Sequence, residues 1–326
     1  MKIYPNTACA AYCAWILANS NIRVTTARKI QIQTVQTAGN TGGYVTQLYY
    51  EEFVAYTSQW YLQYQQYVSL QPSNPISSSQ DALTTAWLAV ASSPAQQTIY
   101  SVDVFFKQLR NDGNLLLDYF YLFAQDQQVN AKINLINPSL YNITEVGTPT
   151  WTANAGYTGN GSTMYLQTNF IESANAVQAT ATSETIGTYM RQTVTAGSHY
   201  NIGAADSSNQ TWLATAYGSG YMEGVLAHAS GIVSSNLNTK GCFCLTKPSA
   251  LVIQNWINGA MLGTTACTTG ALVTKQDYVM AWNNNGAAQL FDTNQYAAAW
   301  KGSGAINQVL FNSAVNTLMT NLGAHY

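Results

Sequence analysis

The side chains that could carry acid–base or metal chemistry are few in this chain, and they stand apart from one another. Beyond residue 140 the carboxylates occur singly, at Glu145, Glu172, Glu184, Asp206, Glu223, Asp277 and Asp292. Hydrolysis of a glycosidic bond needs two carboxyl groups held about 5 to 9.5 Å apart, and a strand supplies them when acids alternate along one face. No strand-like segment here has acids at i and i+2, so no glycosidase pair is indicated. His199, His228 and His325 lack HxxxH or HExxH spacing, which speaks against zinc. A GxSxG nucleophile turn is absent. Calcium requires several hard oxygens to converge; Asp206, or Asp277 with Asp292, could contribute, but their spacing does not call for it. No catalytic, cofactor-binding or metal-binding residue is therefore assigned, no cofactor is expected, and the chain is read as non-enzymatic.

The remaining motifs lead to structure. Cys9 and Cys13 stand four apart on a predicted helix, Cys242 and Cys244 two apart on a predicted strand, and Cys267 alone. None forms the CxxC pairs of zinc or redox sites, so buried reduced thiols are expected. GYTGNG (156–161) has the glycines of a phosphate loop, but it precedes the strand-like MYLQTNF and has no lysine, so a tight turn between strands is expected. The sequons at Asn142, Asn160 and Asn209 have meaning only in a secretory pathway. No convincing signal peptide begins the chain: Pro5 follows Lys2 closely, and Ala8 to Ala18 reads as a short packing helix.

Composition narrows the function classes. Charged residues are 8% of the 326 and the formal net charge is −2, against about a quarter charged in an ordinary domain. No apolar run reaches the ~20 residues of a membrane span. The surface must then be built from Ser, Thr, Asn, Gln, Gly and Tyr, which suits broad contacts with neighbours or with sugars. Without clustered Lys or Arg, neither nucleic acid nor an anionic membrane is an expected partner.

These residues need elements to hold them. Thr25 to Gln36 alternates like a strand around Ile30 and Ile32, and Gly39, Gly42 and Gly43 break it. From Thr46 to Leu70, Tyr49, Phe53, Tyr56, Trp60, Tyr64 and Tyr67 recur at three-and-four spacing, predicting a helix of about seven turns with an aromatic stripe. Pro72 and Pro75 end it. Asp81 to Ala91 predicts a further helix with Leu83, Trp87 and Val90 on one face. The next helix, 102 to 111, has Ser101 as its cap, Phe105, Phe106 and Leu109 facing inward, Asp103 and Arg110 complementing its dipole, and Gly113 as its stop. Short strands with frequent turns follow. Asn258-Gly259 predicts a type I′ hairpin, and Ile306, Leu310, Ala314, Leu318 and Leu322 line one face of a closing helix. The best domain boundary falls at about 95 to 100.

Several of these pieces, in order, resemble a known family. VDVFFKQLRNDG (102–113), INLINPSLYNIT (133–144), PTWTANAGYTGNG (149–161), LVIQNWINGAMLG (251–263) and FNSAVNTLMTNLGAHY (311–326) are similar to the concanavalin/laminin-G-like β-sandwich domain of tailed-phage virion proteins. The resemblance covers roughly 100 to 326, with 172 to 240 fitting poorly and 1 to 99 uncovered. It implies a mainly β fold, an antiparallel β-sandwich (jelly roll) with helical additions, an opening hairpin at 149–161, an aromatic-x-NG hairpin at Trp256 to Gly259, and a helix lying on the sandwich. It also implies a bacteriophage structural protein, in a fibre, spike or capsid-associated position, assembled in the host cytoplasm and displayed on the virion. Its expected partners are other virion proteins and copies of itself, with residues 1–99 for attachment or oligomerisation and 100–326 as the exposed sandwich. A carbohydrate-binding adhesin, taking host-surface glycan, is the alternative reading, and a glycan-cleaving enzyme the weakest.

Overall fold

The computed structural model describes residues 32–36, 44–48, 80–192, 199–217, 221–227, 232–235 and 240–325. The chain divides into two compact units, Met1–Ser78 and Ser79–Tyr326. In the first, β1 (Ile32–Gln36) pairs antiparallel with β2 (Tyr44–Leu48). β1 falls in the alternating segment. β2 takes up Thr46 to Leu48, which the aromatic spacing assigned to a helix; β-branched Val45 and Thr46 register opposite Val35 and Thr34, where a pleated pairing suits them. The remainder of the aromatic stripe, from Tyr49 to Tyr67, lies outside the described residues, as do Cys9, Cys13 and the segment 8–18.

The second unit is mainly β, with two antiparallel sheets face to face and helices on one side, as the sequence implies. One sheet runs β15 (Ala260–Ala266), β14 (Val252–Ile257), β13 (Gly241–Ser249), β8 (Glu184–Met190), β19 (Gln295–Gly302), β6 (Gly156–Thr158) and β5 (Thr150–Thr152), with β3 (Leu117–Leu122) also paired to β19. The other runs β12 (Ile232–Ser235), β11 (Tyr221–Val225), β10 (Gln210–Tyr217), β9 (Ile202–Ala205), β16 (Gln276–Val279), β7 (Tyr165–Ile171) and β4 (Thr144–Val146). A hairpin of β17 (Trp282–Asn284) and β18 (Ala287–Gln289) joins it through β9, the one parallel contact among the described residues. The inner faces share a core in which Tyr121, Tyr157, Ile186 and Phe243 of the first sheet meet Leu166, Phe170, Leu213 and Val279 of the second. Side chains alternate across each strand, so Phe120 and Trp300 point the other way, toward the helices.

There α1 (Ala82–Leu88), α2 (Gln96–Asn111) and α5 (Gln308–Asn321) cover the first sheet, and α3 (Gln128–Ala131) and α4 (Glu172–Asn175) are single turns within the β region. Phe120 lies between Phe105 of α2, at 4.7 Å, and Trp300, whose ring is 5.3 Å from Phe311 of α5. α2 begins at Gln96, not at residue 102, so Ser101 sits inside it and donates its hydroxyl to the Gln97 carbonyl. Asp103 is likewise not in a first turn. It accepts the Asp81 amide at 2.7 Å and pairs with Lys107 one turn on, while Arg110 pairs with Asp81, the cap of α1. These charges tie α1 to α2. Gly113 and Gly323 end their helices as expected. Val90 and Leu310 do not face the core: both are exposed, and Thr84 and Phe311 take the inward positions beside Trp87 and Ala314.

Asn258 (φ +52°) and Gly259 (φ +78°) form the expected turn between β14 and β15. The register slips there, with Asn255 opposite Gly263 and Trp256 opposite Met261, so Leu262 is an extra residue bulged out of the edge strand. The opening hairpin lies within 149–161 as implied, as β5–β6, but the turn expected of GYTGNG is not made within one sheet: 159–164 carries the chain from one sheet to the other. A Cβ on Gly159 would lie 2.2 Å from the Asp292 carbonyl oxygen, which explains why glycine is needed at this crossing.

The close fit of the outer layer is testable at Gly187 of β8, where a Cβ would come within 2.4 Å of the Trp300 ring and 2.7 Å of the Phe243 carbonyl. Gly187→Ala is expected to cost about 1–3 kcal/mol in urea unfolding, and an unchanged midpoint would contradict this packing.

Candidate functional site

Acids that are far apart in sequence meet between the sheets. Lys301 of β19 places its Nζ 2.9 Å from Asp277 Oδ2 on β16, 3.5 Å from Glu172 Oε1 at the start of α4, and 3.6 Å from Glu184 Oε1 on β8. All four side chains are at most 1% exposed. Tyr119 of β3 donates its hydroxyl to Asp277 Oδ2 at 2.9 Å, and Thr168 donates to the Asp277 carbonyl at 2.9 Å. Glu172 Oε2 accepts from Val273 N at 3.3 Å. Both oxygens of Glu184 are buried without a hydrogen-bond donor. Lys247, opposite Glu184 in the β13–β8 register, is also fully buried, and its Nζ makes no hydrogen bond.

One ammonium cannot balance three ionised carboxylates in a solvent-shielded interior. Burial, followed by the charge of Glu172, drives the Glu184 carboxyl well above the ordinary range. Burial also raises Asp277, although the Lys301 charge opposes it. For Lys301 burial favours the neutral amine, but Asp277, Glu172 and Glu184 together outweigh it and hold the ammonium above its usual value. Tyr119 is raised by burial and by Asp277, and so remains a proton donor. The four side chains are closed to solvent.

The other candidate acids stand alone. Asp206 accepts from Ser208 N, Asn209 N, and the amide and hydroxyl of Thr274, bonds that outweigh desolvation and lower it to about 2. Asp292 is occupied by Asn201, Thr293, Asn294 and Tyr296, and it does not join Asp277. Glu223 is raised by burial on β11, and Glu145 pairs with Lys132 at 3.2 Å. His199 bonds the Phe291 carbonyl, His325 lies against Tyr189, and His228 is outside the described residues. Cys242, Cys244 and Cys267 are free and buried, and burial pushes the Cys244 thiol up to about 12. Among the described residues, no three of these ligand types converge on a space for a metal. Asn142, Asn160 and Asn209 all use their carboxamides to hold backbone groups.

A second feature opens to solvent. A shallow cleft of about 460 Å³ lies between β7, the 274–276 segment entering β16, and the β17–β18 turn. Asn169, Thr274, Lys275, Gln276 and Asn283 supply its polar wall and Tyr278 its ring. The wall is held by the protein. Asp206 fixes Thr274, Asn169 Nδ2 bonds Asn142 O and Thr144 Oγ1, and Asn283 braces both Gln276 O and Gly286 N. Tyr278 packs at 4.6 Å on Tyr165. Lys275 joins no ion pair among the described residues. Sequence reasoning missed this cleft because Asn, Gln and Thr are common throughout the chain.

Two substitutions test the buried cluster. Lys301→Met leaves carboxyls buried without their cation and is expected to cost about 3–5 kcal/mol at neutral pH. Glu184 holds its proton more tightly folded than unfolded, so it favours folding at low pH and opposes it as pH rises past the ordinary value near 4.3. With Lys301 and Asp277 as an ion pair, Glu184→Gln, neutral at every pH, is expected to gain stability relative to the parent as the pH rises above about 5. A pH-independent difference in denaturant melts would refute this.

No protein-family model and no curated protein matches the sequence. Among solved structures, part of the chain is similar to the Ruminococcus gnavus IT-sialidase CBM40 bound to α2,3-sialyllactose, at 9% identity and TM-score 0.30 over 39% of this chain and 76% of that one. It is also similar to the botulinum neurotoxin serotype D binding domain, at 10% identity and TM-score 0.40, over 61% and 53%. A third likeness is to the K499G mutant of NanB sialidase from Streptococcus pneumoniae, at 10% identity and TM-score 0.29, where this chain spans only 22% of that one.

Proposed function

We propose that the unit Ser79–Tyr326 is a non-catalytic, glycan-binding β-sandwich module whose ligand lies in the cleft beside Tyr278. The observation that supports this is the makeup of the cleft: carboxamides, a hydroxyl and an ammonium that joins no ion pair among the described residues, beside the largely buried ring of Tyr278, with Asn169, Thr274 and Asn283 already fixed by hydrogen bonds. Sugars offer many hydroxyls and an apolar ring face, and a site that is ordered before binding spends less on immobilising side chains. Lys275 favours a sugar that carries a carboxylate. The acids lend no support to hydrolysis: Asp206, bonded to the cleft wall, is saturated with donors, and the clustered carboxyls are sealed inside.

The family resemblance in the sequence suggests a setting. On a tailed-phage particle such a module would face outward as a host-surface adhesin, with residues 1–99 toward the virion, and the low charge suits assembly. Mass spectrometry and cryo-EM of purified particles test that setting, which is wrong if the protein is missing from them.

Titration with neutral and carboxylated oligosaccharides tests the module itself. Lys275→Ala is expected to weaken binding of the carboxylated ligand about tenfold, roughly 1.4 kcal/mol, and Asp206→Ala to weaken it by releasing Thr274. If no oligosaccharide binds at millimolar concentration, the glycan reading fails.

A further inference from the structure

The cluster around Lys301 has the components of an amide-forming site. A nucleophilic nitrogen lies 2.9 Å from a carboxyl oxygen, on strands belonging to opposite sheets. That carboxyl accepts a hydrogen bond from a phenol, and two further carboxyls approach the same nitrogen at 3.5 and 3.6 Å. Reacting groups held this close need no diffusional encounter, which is worth many orders of magnitude in rate. We propose that Lys301 and Asp277 join as an intramolecular isopeptide bond between the two sheets, with Glu172 and Glu184 moving the protons and Tyr119 steadying the carbonyl oxygen.

The step balances with what the site contains. Glu172, whose Oε2 is held by Val273 N, takes a proton from the Lys301 ammonium at its other oxygen. The neutral amine adds to Cγ of protonated Asp277, and the charge developing on Oδ2 is met by the Tyr119 hydroxyl. Glu184 gives its proton to the departing Oδ1 hydroxyl and regains one from the nitrogen as the C–O bond breaks. An ammonium, a carboxylate and a carboxylic acid become an amide, a carboxylic acid and one water. No oxidant or cofactor is needed. Burial raises the Asp277 carboxyl, which favours the protonated form that addition requires. The reaction also removes the buried ion pair, and with it the cost of keeping charge away from water.

Lys247 marks the selectivity of the arrangement, since its amine is equally buried but makes no hydrogen bond and, among the described residues, no ion pair. Intact mass of the purified full chain under denaturing conditions decides the matter. The expected mass is about 18 Da below that of the sequence, one water, with digestion yielding a linked peptide that contains both Lys301 and Asp277. Asp277→Ala and Lys301→Met should restore the full mass, Lys247→Met should keep the link, and Glu184→Ala should slow or abolish it. A wild-type chain of full sequence mass overturns the proposal, as does a water loss mapped to any other residue. Neither result depends on a variant folding.

Discussion

One ammonium group, that of Lys301, is fully shielded from solvent, and the interior is arranged around it. A buried cation needs anions, the anions need protons or donors of their own, and each must come from an element near enough to supply it. β16 brings Asp277, β8 brings Glu184, the first turn of α4 brings Glu172 and β3 brings Tyr119. The cluster thus specifies how the sheets lie on one another more sharply than the apolar core can. Val, Leu and Phe tolerate small displacements, whereas a charge with a misplaced partner costs several kcal/mol. Whether ionic or covalent, the contact fixes β19 of one sheet against β16 of the other.

Much of the fold was legible from local chemistry. Asn258-Gly259 requires positive φ at both positions, MYLQTNF alternates as a half-buried strand should, and both long helices stop at glycine. The misses have physical causes. Ser101 resembles a cap, but α2 runs through it because Thr98 and Ile99 pack and extend the buried face. The glycines of 156–161 signal a turn equally well whether the chain reverses within a sheet or crosses to the other, so the crossing at Gly159 could not be read. The Lys301 cluster was invisible for a different reason. Glu172, Glu184 and Asp277 form no motif, and their convergence is a product of the strand order.

Charge is scarcer on the surface than the sequence suggests. Asp81, Asp103, Asp118, Glu172, Asp277 and Lys301 are all buried. Among the described residues, what faces solvent is mostly neutral and hydrogen-bonding, and in that setting a lysine such as Lys275, which joins no ion pair among them, has local influence that it would lack on an ordinary charged surface. A cleft walled by braced carboxamides is the kind of recognition such a surface can offer: specific by geometry, with little long-range attraction.

The bulge at Leu262 bears on how copies of the chain can come together. β15 is the outermost strand of its sheet, with Met261 and Leu262 exposed, and a straight edge of that character would accept another strand and extend the sheet without limit. With one residue too many, its backbone groups fall out of step with any regular incoming strand. Where copies crowd together, this edge therefore disfavours strand addition, although its side chains are apolar enough to invite it.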